Sequence, residues 1–209
     1  MTISRAQLAL TLRSWFYDGA TAKTKNIGSL GGTATLGDGT TVGTFPTQLN
    51  PNGMSFDGGD YLDCGASVGD YTNNFTLFCC LTSLQATASD LIRRLNVTYQ
   101  YSMYIRVTTG YLAFQANTSG AFDVASAVKV TDGVFHSCAA VVDSGSLTLY
   151  VDGVAVAGPT AVTIGAVVAS CEVGRSLVGN IWLPQIYPIP LTPTQLRFLD
   201  LYARKFVSI

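Results

Sequence analysis

Two antiparallel strands joined by tight turns are predicted most clearly in residues 132–156, DGVFHSCAAVVDSGSLTLYVDGVAV. Apolar and polar side chains alternate over 147–152, which is typical of a strand with one buried and one wetter face. Asp152-Gly153 predicts a two-residue hairpin loop, because Asp tolerates and Gly readily adopts the positive φ that the favoured turn needs. Ser144-Gly145 predicts a second turn of the same kind. The preceding strand, 135–142, is apolar on both faces and is expected near the middle of a sheet.

Further strands are indicated by β-branched and aromatic runs that lie between turn signals. Residues 74–83, NFTLFCCLTS, are apolar on both faces and predict a central strand. Other strands are predicted as a strand-turn-strand unit at 54–64, as a hairpin at 99–107 and 110–115, and singly at 166–173 and 179–187. Prolines 184, 188 and 190 indicate that the last strand is an edge strand or leaves the sheet irregularly.

Helices are predicted at both ends of the chain. Ser4 and Gln7 resemble a capping box and predict a short helix within an N-terminal extension, residues 1–14. Thr192, Pro193 and Gln195 form a second start signal, which predicts a closing helix over 191–206. We expect an apolar stripe of this helix to dock on the strands and its charged side chains to face water. The stripe comprises Leu196, Leu199, Tyr202 and Ala203, and the charged set comprises Arg197, Asp200 and Arg204.

Length and composition indicate one weakly charged domain, 1–209. Twelve basic and thirteen acidic residues give a net charge of -1 without a Lys/Arg-rich stretch, which argues against a nucleic-acid partner. Only 12% of the residues are charged, so we expect a polar but weakly charged surface, which suits burial in an assembly. No run reaches the about 18 apolar residues that a membrane span needs. The first residues lack the solid apolar block of a secretory signal, and synthesis in a reducing cytoplasm is expected.

Cysteine and histidine usage argues against disulfides and zinc. An odd number of cysteines, five, and the adjacent pair Cys79 and Cys80 do not fit a disulfide framework. We therefore interpret all five cysteines as small buried hydrophobic residues. The single histidine, His136, lies in an apolar strand with no cysteine at ligand spacing on a turn, and we interpret it as part of the scaffold. No cofactor and no firm metal site are predicted.

Five segments, taken in order, resemble the LamG-like, concanavalin A-like lectin/glucanase jelly-roll superfamily. They are MSFDGGDYLDCG, NFTLFCCLTS, YSMYIRVTTGYLAFQ, DGVFHSCAAVVDSGSLTLYVDGV and VGNIWLPQIYPIPLTPTQLRFLDLYA. The resemblance covers about residues 15–202. It implies an all-β fold, a two-sheet antiparallel jelly-roll sandwich with short N- and C-terminal helices. The acidic pair that family members usually carry after the Gly-x-Ile strand is absent from 179–183, GNIWL, which argues against a calcium site there.

Catalytic residues are not predicted. Related folds include glycosidases, which need two carboxylates about 5 to 9 Å apart, but no strand of this sequence carries acids on alternate residues. The closest acids, Asp57, Asp60 and Asp63, span a turn, and we interpret them as turn formers that accept hydrogen bonds from the backbone. A calcium site formed by these three residues is the alternative. No serine lies in a G-x-S-x-G elbow, which argues against a Ser-His-Asp triad.

A glycan-binding surface is the sharper functional hypothesis. Sugars stack their apolar faces on exposed aromatic rings and bind side-chain amides and carboxylates through their hydroxyls. The candidate ligand-binding residues are Tyr99, Tyr101, Tyr104, Tyr111, Asn180 and Trp182. The alternative is that these aromatic residues pack against a sheet face, as Tyr and Trp on strands usually do.

These observations favour a non-catalytic structural or binding protein. The first interpretation is a bacteriophage virion component, in head decoration, tail or receptor binding, made in the host cytoplasm. Its expected partners are other virion proteins, further copies of the chain and cell-surface glycans. The alternative is a free carbohydrate-binding, lectin-like protein, and a glycosidase is a third, less favoured interpretation.

Overall fold

The computed structural model describes residues 8–9, 16–18, 21–37, 45–49, 53–85, 87–95, 99–116, 122–166 and 168–207. These residues form seventeen strands and one helix, α1, which spans Pro193–Phe206. The strands are β1 Leu8–Ala9, β2 Phe16–Asp18, β3 Thr21–Lys25, β4 Thr33–Leu36, β5 Thr47–Leu49, β6 Gly53–Asp57, β7 Leu62–Asp63, β8 Phe75–Thr82, β9 Ser89–Leu95, β10 Tyr99–Ile105, β11 Tyr111–Ala116, β12 Phe122–Lys129, β13 His136–Asp143, β14 Ser146–Val151, β15 Val154–Ala161, β16 Ser170–Val173 and β17 Val178–Tyr187.

The described strands form two antiparallel sheets. Sheet A has the order β15-β14-β13-β8-β17-β6-β5, with β1 paired to β17, and sheet B has the order β12-β11-β10-β9-β16-β7-β4-β3-β2. A large apolar core with contributions from both sheets joins them into a sandwich. The two-sheet antiparallel jelly-roll sandwich that the sequence predicts is therefore confirmed.

The predicted hairpins at 135–156 are present. The two residues of each hairpin loop adopt the left-handed conformation that the sequence indicates. Their φ angles are 51° and 76° at Ser144-Gly145 and 54° and 71° at Asp152-Gly153. Val151 pairs with Val154, which places β14 between β13 and β15. Because alternate strand residues point to opposite faces, Leu147 and Leu149 reach the core between the sheets.

Strand β8 lies at the centre of sheet A and is buried on both faces, as predicted. It pairs with β13 on one side and β17 on the other. Cys79 points into the core between the sheets, whereas Cys80 points into a second apolar cluster on the outer face of sheet A. All five cysteines are free and buried, which confirms that they act as small hydrophobic residues.

Helix α1 covers this second cluster as a third layer. Thr192 and Gln195 form the predicted capping box at its start. Leu196, Leu199 and Ala203 are buried as expected. Two expectations are wrong, since Asp200 is buried and Tyr202 is exposed. Asp200 follows Leu196 by about one turn on the buried side of the helix, and Arg204 contacts its carboxylate at 3.0 Å. Tyr202 lies at the edge of the apolar stripe, which explains its exposure.

Two other predictions need correction. Leu8–Ala9, within the segment predicted as an N-terminal helix, form a strand that pairs with Gln185 and Ile186 of β17. The rest of that segment lies outside the described residues. Of the two alternatives predicted for β17, the edge strand is wrong, because β17 pairs with both β8 and β6. A register shift between Trp182 and Gln185 accommodates Pro184 inside the sheet. The strand-turn-strand unit predicted at 54–64 is present, with β6 in sheet A and β7 in sheet B.

Candidate functional site

A line of polar side chains crosses the outer face of sheet B. Its members are directly opposite one another on neighbouring strands, so they point to the same side of the sheet. Their chain neighbours, such as Phe114, Ile92 and Val173, lie in the core, so the line itself faces outward. This polar line consists of Asp123, Gln115, Ser102, Arg93, Glu172, Asp63, Thr35 and Lys23.

Arg93 is the centre of an ion-pair cluster on this line. Its Nη1 contacts Asp90 Oδ2 at 2.8 Å, and its Nε donates to Glu172 Oε2 at 2.6 Å. Arg175 Nη2 contacts the other oxygen of Glu172 at 2.7 Å. Ser102 donates its hydroxyl to Asp90 Oδ1 at 2.5 Å. Every oxygen of the two carboxylates therefore has a partner, which fixes both side chains.

The two carboxylates of the cluster differ in their electrostatics. Burial raises the pKa of Asp90 more than its bonds to Ser102 and Arg93 lower it. Burial also acts upward on Glu172, but the bonds and charges of Arg175 and Arg93 outweigh it and lower the pKa of Glu172. Glu172 therefore remains ionised well into the acidic range.

Aromatic side chains flank the polar line on the same face of sheet B. Tyr104 donates its hydroxyl to Asp123 Oδ1 at 2.9 Å, and Arg106 Nη2 contacts the other oxygen of Asp123 at 2.6 Å. Near the cluster, the guanidinium of Arg175 lies 3.4 Å from the ring centroid of Tyr61. The surface thus combines half-buried tyrosine rings with planar cations and carboxylates whose positions are fixed.

The structure separates the candidate aromatic residues that the sequence analysis grouped. Tyr104 and Tyr111 lie on the outer face of sheet B. Tyr101 is fully buried, stacks on Phe75 at 4.9 Å between ring centroids and donates its hydroxyl to the carbonyl of Gly69. It is a core residue, because position 101 alternates with the outward-facing 102 and 104. The side chain of Tyr99 lies outside the described residues.

The other two candidates, Asn180 and Trp182, belong to sheet A. Trp182 is only 6% exposed and packs against Phe135, so it offers no ring face to a ligand. Asn180 donates to the hydroxyl of Thr82 at 3.1 Å. Neither residue shares a surface with Tyr104, because the two sheets expose opposite sides of the sandwich.

The weak calcium candidates act as turn residues. Asp57 accepts from the backbone of Gly59 at 2.9 Å, and Asp60 accepts from the backbone of Asp57 at 3.0 Å. Asp63 accepts from the backbone of Gly65 at 2.8 Å. Burial raises the pKa of Asp60 to about 6. No group of three or more His, Cys, Asp or Glu side chains arranged to hold a metal ion is found among the described residues.

His136 lies between two carboxylates. Its Nδ1 is 2.8 Å from Asp152 Oδ2 and its Nε2 is 3.1 Å from Asp132 Oδ1. The hydrogen bond to Asp152 is the main reason that the pKa of His136 is raised. Asp152 also accepts from the Ser137 backbone and from Arg204 of α1. These contacts join β13, the hairpin loop and the helix, which supports the interpretation of His136 as scaffold.

Sequence reasoning missed most of the charged residues on the sheet B face. A signal for them existed, since Glu172 lies between the apolar Cys171 and Val173 and Gln115 lies between Phe114 and Ala116. Such alternation marks an outward position on a strand but does not say which strands are neighbours. In the described part of the chain, no helix is long and apolar enough to cross a membrane.

Comparisons with known proteins agree on the fold. Domain 4 of AbnA, a GH43 extracellular arabinanase from Geobacillus stearothermophilus, was solved in complex with arabinotriose. It is 19% identical, with 83% of this chain and 91% of that domain covered and a TM-score of 0.67. The binding domain of Paraclostridial Mosquitocidal Protein 1 is 11% identical, with 95% of this chain and 52% of the other covered and a TM-score of 0.70.

Trypanosoma rangeli sialidase is a third similar structure, 14% identical, with 96% of this chain covered and a TM-score of 0.66. This chain covers 33% of the sialidase and 52% of the mosquitocidal binding domain, so it spans only part of both. A search of curated protein sequences finds no match.

A family model for the concanavalin A-like lectin/glucanases superfamily matches residues 56–196, which is more than half of the chain. The matched region runs from β6 into α1 and contains the central strands of both sheets. The chain therefore belongs to the concanavalin A-like lectin/glucanase superfamily.

Proposed function

We propose that this protein is a non-catalytic glycan-binding protein whose binding surface is the outer face of sheet B. The observation that carries the proposal is the arrangement of Tyr104 and Arg106 around Asp123 at one end of the polar line, with the stacked pair of Tyr61 and Arg175 beside its ion-pair cluster. The similar arabinanase domain, solved with arabinotriose, supports a carbohydrate as the ligand.

The chemistry of this face matches that of a sugar. A tyrosine ring offers an apolar surface to the C–H groups of a pyranose or furanose, and carboxylate and guanidinium groups bind its hydroxyls with directed hydrogen bonds. Tyr104 and Arg106 are both held by Asp123, at 2.9 and 2.6 Å, before any ligand arrives. Such fixed side chains lose little conformational entropy on binding, which favours affinity.

The proposal of a non-catalytic role is supported by the position of Arg93. Its guanidinium contacts both Asp90 and Glu172, and so occupies the space between the two carboxylates. A glycosidase needs that space for the scissile bond, with one carboxyl able to deliver a proton. The lowered pKa of Glu172 does not suit a general acid, and Asp90, whose pKa is raised, is paired with Arg93 at 2.8 Å.

Binding to a panel of immobilised glycans tests this function. We expect Tyr104→Ala and Arg106→Ala to weaken binding of the best glycan at least about tenfold, whereas Tyr104→Phe retains most of it because the ring remains. Tyr202→Ala is the matched control, since Tyr202 is an exposed tyrosine on α1, away from sheet B. Equal binding by the wild type, Tyr104→Ala and Tyr202→Ala would rule out this surface, and glycan hydrolysis would rule out the non-catalytic role.

The wider role that we propose is that of a bacteriophage virion component made in the host cytoplasm. The low share of charged residues, 12%, supports a protein that packs into an assembly. Helix α1 also carries apolar side chains on its solvent side, with Phe198 54%, Leu201 60% and Tyr202 47% exposed. These side chains suit contact with another virion protein or a second copy. The five free, buried thiols are compatible with synthesis in a reducing compartment.

Purification of particles from the native source tests the virion role. We expect the chain to co-sediment with the particles through a density gradient and to remain after a high-salt wash. A chain found only in the soluble fraction, with glycan binding intact, would instead identify a free carbohydrate-binding protein. That alternative is favoured by the arabinanase domain, 91% of which is covered by this chain.

A further inference from the structure

A cavity of about 300 Å³ lies on the outer face of sheet A, on the opposite side of the sandwich from the polar line. Its floor is formed by β13 and β14, where Val141 is opposite Thr148 and Asp143 is opposite Ser146. Its walls are formed by Pro159 of β15 and by the segment 190–193 that leads into α1. The cavity is therefore built from three strands and the start of the helix.

Three hydroxyl groups line this cavity without a partner from the described protein. Ser146, Thr148 and Tyr150 are alternate residues of β14, so their side chains share one face. None of these hydroxyls makes a hydrogen bond to another residue within the described ranges. Tyr150 is only 9% exposed, and burial raises its pKa, so it remains a neutral phenol. All three hydroxyls are accessible from the cavity and can donate to and accept from a ligand there.

The remaining lining determines which ligand fits. Pro159, Pro190 and Pro193 present C–H surfaces, and Asp143 places a carboxylate at the edge of the cavity. The helix start is a poor anion site, because Pro193 has no N–H and the N–H of Gln195 is taken by the side chain of Thr192. The carboxylate repels negative ligands and accepts hydrogen bonds from hydroxyls.

We propose that this cavity is a second ligand site, which binds one small neutral polyhydroxylated molecule the size of a monosaccharide. The C–H face of the ligand packs on the prolines, and its hydroxyls pair with Ser146, Thr148 and Tyr150. The volume is at the lower limit of known ligand sites, about 300 Å³, which suits a single sugar unit. The site is separate from the surface on sheet B and does not depend on it.

Saturation-transfer and chemical-shift NMR titrations of the full chain test the site. The probes are glucose, galactose, mannose and arabinose, each alone, with N-acetylneuraminic acid as the anionic comparison. Tyr150→Phe and Thr148→Val each remove one hydroxyl and keep the side-chain shape, and each is expected to weaken the best neutral probe about three- to tenfold. Ser146→Leu is expected to fill the cavity and abolish this binding. Thr47→Val, on β5 at the far edge of sheet A and outside the cavity lining, is the matched control and is expected to leave it unchanged.

Three outcomes would overturn the proposal: no neutral probe binds the wild type, binding persists unchanged in both hydroxyl variants, or N-acetylneuraminic acid displaces the neutral probes from this cavity. Amide spectra of each variant show whether the fold is retained. Tyr104→Ala separates the two sites, because it is expected to reduce glycan binding on sheet B without altering the ligand-induced chemical shifts of the residues that line the cavity.

Discussion

Asp152 connects three parts of the molecule through one carboxylate. It lies in a hairpin loop at φ 54°, accepts from the Ser137 backbone at 3.0 Å and from Arg204 of α1 at 2.6 Å, and pairs with His136. The turn that closes β14 and β15 is thereby tied to the neighbouring strand and to the helix. We infer that its charge, and not only its tolerance of positive φ, determines the choice of Asp at this position.

The His136 pair makes stability depend on pH in a defined direction. Because the pKa of His136 is raised above 6.5 in the folded state, its contribution is fully present below that pH and is lost as the pH rises through the folded value. The pKa of Asp152 is lowered, so its contribution is lost only as the pH falls below 3.8. Both contributions are present between these limits.

We therefore expect His136→Gln to destabilise the protein more near about pH 5.5 than near about pH 8.5. The measurement is the free energy of unfolding in urea for the wild type and the variant at both pH values. A difference that is constant or that grows at the higher pH would contradict the assignment of the charged pair.

Among the elements, helix α1 shows how a local signal specifies a boundary. Thr192 accepts from the backbone of Gln195, and Gln195 in turn accepts from the backbone of Thr192 at 2.9 Å. We expect Thr192→Ala to reduce the free energy of unfolding by about 1 kcal/mol, because it leaves a backbone donor of the first turn unpaired. Thr194→Ala is the control, because Thr194 is exposed and lies two residues after the cap; urea denaturation is expected to show no loss of stability for this variant.

Local signals explain which elements could be predicted from the sequence. The loops at Ser144-Gly145 and Asp152-Gly153 and the cap at Thr192 each depend on residues within a few positions, and all three are confirmed. The strand at Leu8–Ala9 depends on β17, about 180 residues away, which no local pattern encodes. The position of Pro184 inside a sheet is equally non-local, because the register shift that admits it is a property of the pairing of β17 with β8.

The candidate site was harder to predict than the fold. Arg93 and Glu172 come together because β9 pairs with β16, a contact between residues 79 positions apart. Tyr101 and Tyr104 look alike in the sequence, yet one is in the core and the other faces outward. They lie on opposite faces of β10, because one has an odd and the other an even position along the strand. Only the structure shows which of these two faces is turned toward the other sheet. Among the candidate aromatic residues whose side chains are described, Tyr104 and Tyr111 face outward from sheet B.

At the scale of the whole molecule, the protein has three layers, because α1 packs on the outer face of sheet A. Leu196 is buried at the centre of this contact, whereas Leu201, on the same helix, is exposed. We expect Leu196→Ala to lower the free energy of unfolding by about 2 to 4 kcal/mol and Leu201→Ala to change it by less than about 0.5 kcal/mol. Urea denaturation of the two variants measures this difference, and equal losses would show that the helix is not a structural layer.

Adjacent cysteines on β8 give this layered arrangement a built-in reporter. Cys79 is covered by sheet B and Cys80 by α1, so each thiol becomes reactive only when a different layer opens. Burial raises the pKa of both thiols, and neither is expected to be alkylated in the closed protein at about pH 8. Leu196→Ala is expected to accelerate alkylation of Cys80 more than that of Cys79, as read by fragmentation mass spectrometry. Equal acceleration would mean that the helix and the sandwich open together. Unequal acceleration would mean that they open separately, and the two alkylation rates would then report the rate of each opening.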